Sequence, residues 1–150
     1  MRRFTLALLL LLPLPAAAQS VNGLWLMQSR GAEIRLGSCA DATRGPVCGW
    51  IERLLDPKGA DGKPVAAETV TDARNADPSL RGRKLQGMVL LYDFRPGSAA
   101  GAFEEGTIYN AEDGKTYRAN ISLQSDGTLR LRGYVGAPMF GTTQVWTRLQ

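Results

Sequence analysis

The chain of 150 residues carries 18 Lys and Arg, 14 Asp and Glu and no histidine, for a net charge of +4. The missing histidine excludes Ser-His-Asp and Cys-His catalysis, imidazole metal ligation and a histidine pH switch together. The small positive excess is scattered, with no basic stripe interleaved with aromatics, so nucleic acid is not expected as a partner.

Arg2 and Arg3 precede a Leu-dominated apolar run over residues 4–15, and Ala16-Ala17-Ala18 follows. This is the pattern of a secretory signal peptide over residues 1–18, too short to span about 30 Å of hydrocarbon as a mature helix. Cleavage near Ala18 predicts Gln19 as the new N-terminus and a periplasmic or secreted location. The absence of a Cys just after that site argues against a lipid anchor. With Arg2 and Arg3 removed, 16 basic side chains stand against 14 acidic ones, a net charge of +2. The mature chain has no further run of spanning length, so no transmembrane segment is expected. Residues 19–150 suit a single domain with a real core.

In chain order, residues 23–27 read as a first strand with a large indole, Trp25, placed early. Residues 32–36 alternate apolar and charged, the period-2 pattern of a half-buried strand. Residues 37–46 form a loop holding Cys39, and Cys48 follows in the strand at 47–55. These are the only cysteines, nine positions apart around Arg44-Gly45-Pro46. In an oxidising compartment the simplest reading is a disulfide, worth about 2.5 to 3 kcal/mol in the chain-entropy model. Two buried free thiols are the alternative, and the C-x-x-C spacing of a redox pair is absent.

Residues 56–63 are rich in Asp, Gly, Pro and Lys, and a short helix is possible over 64–71. Residues 72–87 read D-A-R-N-A-D-P-S-L-R-G-R-K-L-Q-G, polar and full of turn residues. Such a stretch is a binding loop or a strap. Asp and Asn side chains can close its local turns while Arg81 and Arg83 lie over the barrel end, or the two arginines can form a fork for an anionic group.

The run 86–94 is so strongly apolar that coverage of both strand faces is expected. A strand at 103–110, a tight turn at 112–115 and a returning strand at 116–124 come next. In the last of these Tyr117, Ala119, Ile121 and Leu123 share one face. Asp126-Gly127 is a second hairpin turn. Beyond it Leu129, Leu131, Gly133 and Val135 alternate with Thr128, Arg130, Arg132 and Tyr134, and residues 142–149 form the last strand. Eight or nine short strands with almost no helical periodicity indicate an antiparallel all-β barrel or sandwich. A barrel closed by pairing the first strand with the last would have no exposed edges.

The segments Gly23-x-Trp25, Cys48-Gly49-x-Ile51, Asp72-x-x-Asn75 and Leu80-Arg81-Gly82-Arg83 resemble a bacterial family of secreted proteins, domain of unknown function 2147. So do Gly106-x-Ile108-Tyr109, residues 112–117, residues 132–136 and the closing Trp146-Thr147-Arg148. The resemblance covers nearly the whole mature chain and implies a lipocalin-like, calycin-type barrel of about eight to nine strands, with no established activity. By the broader lipocalin pattern it also implies that Trp25 packs beneath Arg148 as a structural pair, a cation over an aromatic face worth about 0.5 to 2 kcal/mol.

Carboxylate pairs could do acid and base work without histidine. Glu104 and Glu105 are adjacent on a strand and should point to opposite faces, a poor geometry for a dyad. Glu112 and Asp113 sit in a turn, and Asp61, Asp113 and Asp126 precede glycines in turns, where conformation accounts for them. No phosphate loop or calcium-binding run appears. No catalytic residue, metal ligand or cofactor is therefore assigned, and an enzyme is the least favoured class.

If the apolar face of residues 117–123 lines the interior with Leu129 and Leu131, the pocket suits an acyl chain. If the other face points inward, Arg118, Arg130 and Arg132 would meet an anionic head group. Burying three unpartnered cations is expensive, which favours the apolar interior. The leading reading is an exported, non-enzymatic carrier or sensor of a small hydrophobic or amphiphilic molecule, with Arg81, Arg83 and Tyr109 as contacts at the mouth. The alternative is a cell-envelope interaction protein with a packed barrel and no small-molecule ligand.

Overall fold

The computed structural model describes residues 20–150, and residues 1–18, where a signal peptide is expected, lie outside the described residues. Nine strands follow in order: β1 (Gly23–Leu26), β2 (Ala32–Gly37), β3 (Cys48–Leu54), β4 (Val89–Tyr92), β5 (Arg95–Pro96), β6 (Ala102–Asn110), β7 (Lys115–Leu123), β8 (Leu129–Tyr134) and β9 (Thr142–Arg148). The sheet runs β4-β3-β2-β1-β9-β8-β7-β6-β5, and β4 also pairs with β6. That second pairing closes eight antiparallel strands into a barrel and leaves the two-residue β5 as an extra strand on β6. First and last strands pair as expected, Trp25 opposite Arg148 and Leu26 opposite Thr147. All main edges are thereby satisfied.

The registers define which face is inside. Trp25 lies opposite Ile34 and Ile34 opposite Ile51, while Ile121 faces Leu131 and Leu123 faces Leu129. Trp25, Ile34, Ile51, Ala119, Ile121, Leu129, Leu131 and Trp146 are all buried in one cluster. Arg118 and Arg130, on the alternate positions, are exposed and Arg132 is half-buried. The interior is apolar because the period-2 pattern puts Arg118, Arg130 and Arg132 on the solvent side.

Two irregularities depart from the simple alternation. Gly49 pairs with Leu91 but Trp50 with Val89, so one step along β3 spans two along β4. The inserted residue, Leu90, marks a β-bulge, and both Leu90 and Leu91 are buried while Val89 is 46% exposed. The unbroken apolar run therefore reflects a bulge, not a strand covered on both faces. On β6, Phe103 pairs with Ile121 and Gly106 with Ala119, three steps against two. Glu105 takes φ 55° there. Glu104 and Glu105 are consequently both exposed, not split between faces, and Glu105 pairs with Arg95 at 3.0 Å.

Cys39 and Cys48 form a disulfide with Cα atoms 4.8 Å apart, pinning the β2–β3 loop to the start of β3. The helix expected over 64–71 shrinks to one 3-10 turn, Ala67–Thr69, and a second, Pro78–Leu80, sits in the following stretch. Residues 55–88 thus form a long strap between β3 and β4 in place of a hairpin. Asp61, Asp113 and Asp126 each accept the backbone N–H two residues on, which accounts for their places before glycine.

The two barrel ends are filled differently. At the end where β1 begins and β9 finishes, Trp25, Trp146, Phe94, Leu36, Leu91 and Leu129 are fully or almost fully buried. Gly106 permits this packing, because a Cβ there would meet the Phe94 ring at 2.3 Å. The Arg148 guanidinium lies 4.2 Å from the Trp25 ring centroid. It also donates to the carbonyls of Asn22 and Ser20, while the Trp25 indole N–H donates to Val21 O at 2.8 Å. Replacing Trp25 by Ala should cost about 3 to 5 kcal/mol, read as a sharp fall in melting temperature by circular dichroism. An unchanged melt would mean that this indole does not hold the closed end.

Candidate functional site

The opposite end, formed by the β1–β2, β6–β7 and β8–β9 connections, holds a cavity of about 580 Å³. Its wall comes from inward positions of the strands: Ile34, Ile51, Ile108, Leu131, Gly133 and Gln144. Leu54, Leu85 and Met88 close it from the strap side, and Met27 and Phe140 stand at the rim. Gly133 continues the inward series of Leu129 and Leu131, and a Cβ there would touch only Ile108 Cγ2 at 3.8 Å and the Arg118 carbonyl at 4.0 Å. That position adds room to the cavity where a larger residue would fill it. Two of the polar side chains near the wall are engaged within the protein. The Gln144 side-chain oxygen accepts from the Trp146 indole at 2.9 Å, and the Tyr117 hydroxyl donates to Asp113 at 2.5 Å. This hydrogen bond holds the Asp113 carboxyl below the usual carboxylate range and pushes the Tyr117 hydroxyl up.

Of Arg81, Arg83 and Tyr109, only Tyr109 lines this cavity; the two arginines belong to the strap that packs over it. Tyr109 is on the alternate face from the inward Ile108, and it is buried because the strap covers it. Its hydroxyl donates to Asp72 Oδ1 at 2.5 Å and accepts from Asn75 Nδ2 at 3.0 Å. Asn75 Nδ2 also reaches Asp72 Oδ2 at 2.8 Å, and Arg83 Nε donates to the same oxygen at 2.8 Å. The Arg83 guanidinium lies 5.1 Å from the Tyr109 ring centroid. Arg81 Nε donates to the Asn75 carbonyl at 2.8 Å. Arg83 and Tyr109 thus meet on one carboxylate, with Arg81 one contact further out.

Asp72 is the centre of that cluster and only 1% exposed. Read from sequence it is one more turn-forming Asp. Its difference from Asp77, which caps Ser79 in the ordinary way, lies in the tertiary approach of Tyr109, 37 positions along the chain. No local pattern carries that information. The strap is further fixed where Arg74 donates to the Glu112 carbonyl. Gly114 is required there: it takes φ +72°, and a Cβ would run into the Arg74 carbonyl.

A second concavity, about 1170 Å³, runs over the outer face between the disulfide loop, β4 and the strap, with Trp50, Val89, Leu80 and Tyr92 along it. Its arginines are engaged: Arg44 pairs with Asp93 and stacks 4.1 Å from Tyr92, and Arg83 is held by Asp72. The interior cavity is the better ligand site, being lined by inward-facing apolar walls and falling within the usual 300–1,000 Å³ range. Among the described residues no group of three His, Cys, Asp or Glu is placed to hold a metal ion.

A closed eight-stranded antiparallel barrel, plugged by aromatics at one end and hollow at the other, defines a lipocalin-like protein. The fold is shared with HP1028 from Helicobacter pylori, described as belonging to the lipocalin family: TM-score 0.66 and 22% identity, over 87% of this chain and 84% of that one. Residues 23–148 match the profile of the family described as "Uncharacterized protein conserved in bacteria (DUF2147)", and the chain belongs to that family. Comparison with curated proteins gives no match.

Tyr109 supplies a pH test of the cluster. Burial first, then the hydrogen bond to the Asp72 carboxylate, raises its pKa above the ordinary 10.0. A raised folded-state pKa stabilises fully below the unfolded value and is lost as pH rises through the folded value. Tyr109→Phe should therefore lower stability near neutrality by about 1 to 3 kcal/mol, through the stranded carboxylate. It should also soften the decline in melting temperature above pH 10 relative to wild type, Tyr117 being present in both. Parallel alkaline limbs would remove Tyr109 from the titration.

Proposed function

We propose that the protein is an exported, non-enzymatic carrier or sensor that holds a small hydrophobic or amphiphilic molecule in the hollow end of its barrel. The observation that carries the reading is the contrast between the two ends: bulky side chains fill one, while apolar walls around Gly133 enclose about 580 Å³ at the other. A cavity of that size and lining accommodates an acyl chain or a comparable flat apolar body, with its polar end toward the mouth. The disulfide and the leader-like residues 1–18 support export. In this reading Arg81 and Arg83 act by holding the strap on Tyr109 and Asp72, which keeps the cavity's strap-side wall of Leu85 and Met88 in place.

The test is native mass spectrometry on protein isolated from an exporting host, before and after organic extraction. The expected result is a stoichiometric added mass that extraction removes, with thermal stabilisation when fatty acids or alcohols of matching chain length are returned. Gly133→Leu should keep the fold and weaken binding by roughly tenfold or more, since each displaced ligand methylene forfeits about 0.8 kcal/mol of burial. An apo mass together with no thermal shift across chain lengths would reject the cavity as a ligand site. The same spectra should give an N-terminus at Gln19, and an intact residue 1 on the exported protein would reject cleavage near Ala18.

A further inference from the structure

At the mouth of the cavity the β8–β9 connection carries three large apolar side chains that the described residues leave exposed. Val135, Met139 and Phe140 are 68%, 76% and 75% exposed, the three highest values among the large hydrophobics described. They are held out by construction. The 3-10 turn Pro138–Phe140 is fastened to β8 by Arg132, whose guanidinium donates to the carbonyls of Pro138 and Met139 and, at 2.7 Å, to the Thr143 hydroxyl. Val135 and Phe140 also line the cavity, so the apolar tip and the apolar interior are continuous.

The face behind the tip is cationic. Arg118, opposite Tyr134, and Arg132, opposite Thr143, occupy outward positions toward the mouth, and neither makes an ion pair with any described residue; Arg130, opposite Ser122, lies toward the closed end. The only acid between Lys115 and Tyr134 is Asp126, in the turn at the opposite end. Glu112 and Asp113 stand on the neighbouring β6–β7 turn of the mouth, which turns the favourable face toward β8 and β9.

We propose that this tip docks the cavity mouth onto an anionic lipid surface, with Met139, Phe140 and Val135 entering the apolar boundary and the mouth-side Arg118 and Arg132 facing the head groups. Three side chains on one turn are too few for a stable contact between copies, which needs about 800 Å² from each partner. They match the shallow, charge-assisted insertion of peripheral proteins.

The test is flotation of the exported, extracted protein with vesicles of equal parts phosphatidylethanolamine and phosphatidylglycerol, against vesicles of phosphatidylcholine alone. It needs no cargo and stands apart from the carrier reading. Wild type should float with the anionic vesicles and much less with the neutral ones. Met139→Ser with Phe140→Ser should weaken that binding by about tenfold or more with the melt unchanged. Arg118→Gln should weaken it by about fivefold and flatten its salt dependence, whereas Arg130→Gln, toward the closed end, should change it little. Wild type that stays unbound, or a serine variant that floats as well as wild type, overturns the proposal. So does a concentration-dependent dimer that the serine pair abolishes without any vesicle binding, which would give the tip to a second copy.

Discussion

Burial of Trp25 beneath Arg148 is the constraint on which the rest of the barrel depends. An indole on the first strand and a guanidinium on the last meet only if those strands pair, and their pairing is one of the two contacts that close the sheet. The same guanidinium collects the carbonyls of residues 20 and 22, which would otherwise lie at an unfinished strand end. With two indoles and Phe94 packed at that end, bulk is used up there. The inward positions of the other half are mainly branched aliphatics, with Gln144 and a glycine, and an eight-stranded barrel so furnished is left hollow.

A second organising contact lies outside the barrel wall. A strap of more than thirty residues would be loosely tethered if only turns held it, and its polar composition offers little apolar surface to bury. Asp72 solves this by accepting from Tyr109, Asn75 and Arg83 at once. Such a carboxylate is costly to bury alone and tolerable when every lone pair is used, so the cluster acts as an all-or-none latch. The strap then brings Leu85 and Met88 against the cavity, linking a polar event on the outer face to the shape of an apolar space inside.

Much of the architecture was legible in the residues. The alternation at 117–123 and 129–133 offered two faces, and the cost of burying unpartnered arginines favoured the apolar one that the fold turns inward. The cysteine pair and the meeting of first and last strands followed from compartment and edge satisfaction. Local pattern failed at the bulges. Leu90-Leu91 and Glu104-Glu105 read as ordinary alternation or double coverage, because an inserted residue shifts the period without changing composition. It failed also at the strap, where Asp72 and Asp77 look alike and differ only in what the fold brings over them. Both misses come from long-range contacts that no window of neighbouring residues contains.

Gly106 and Gly133 are the same residue on the two strands that flank β7, both opposite Ala119, yet the fold treats them in opposite ways. Phe94 already fills the space that a side chain at 106 would need, whereas the space at 133 is vacant. The first position is closed to variation, and the second is a dial. A single codon change at 133 resizes the chamber while leaving strand pairing, disulfide and latch untouched. Relatives with this barrel could therefore diverge in what they hold without first risking whether they fold.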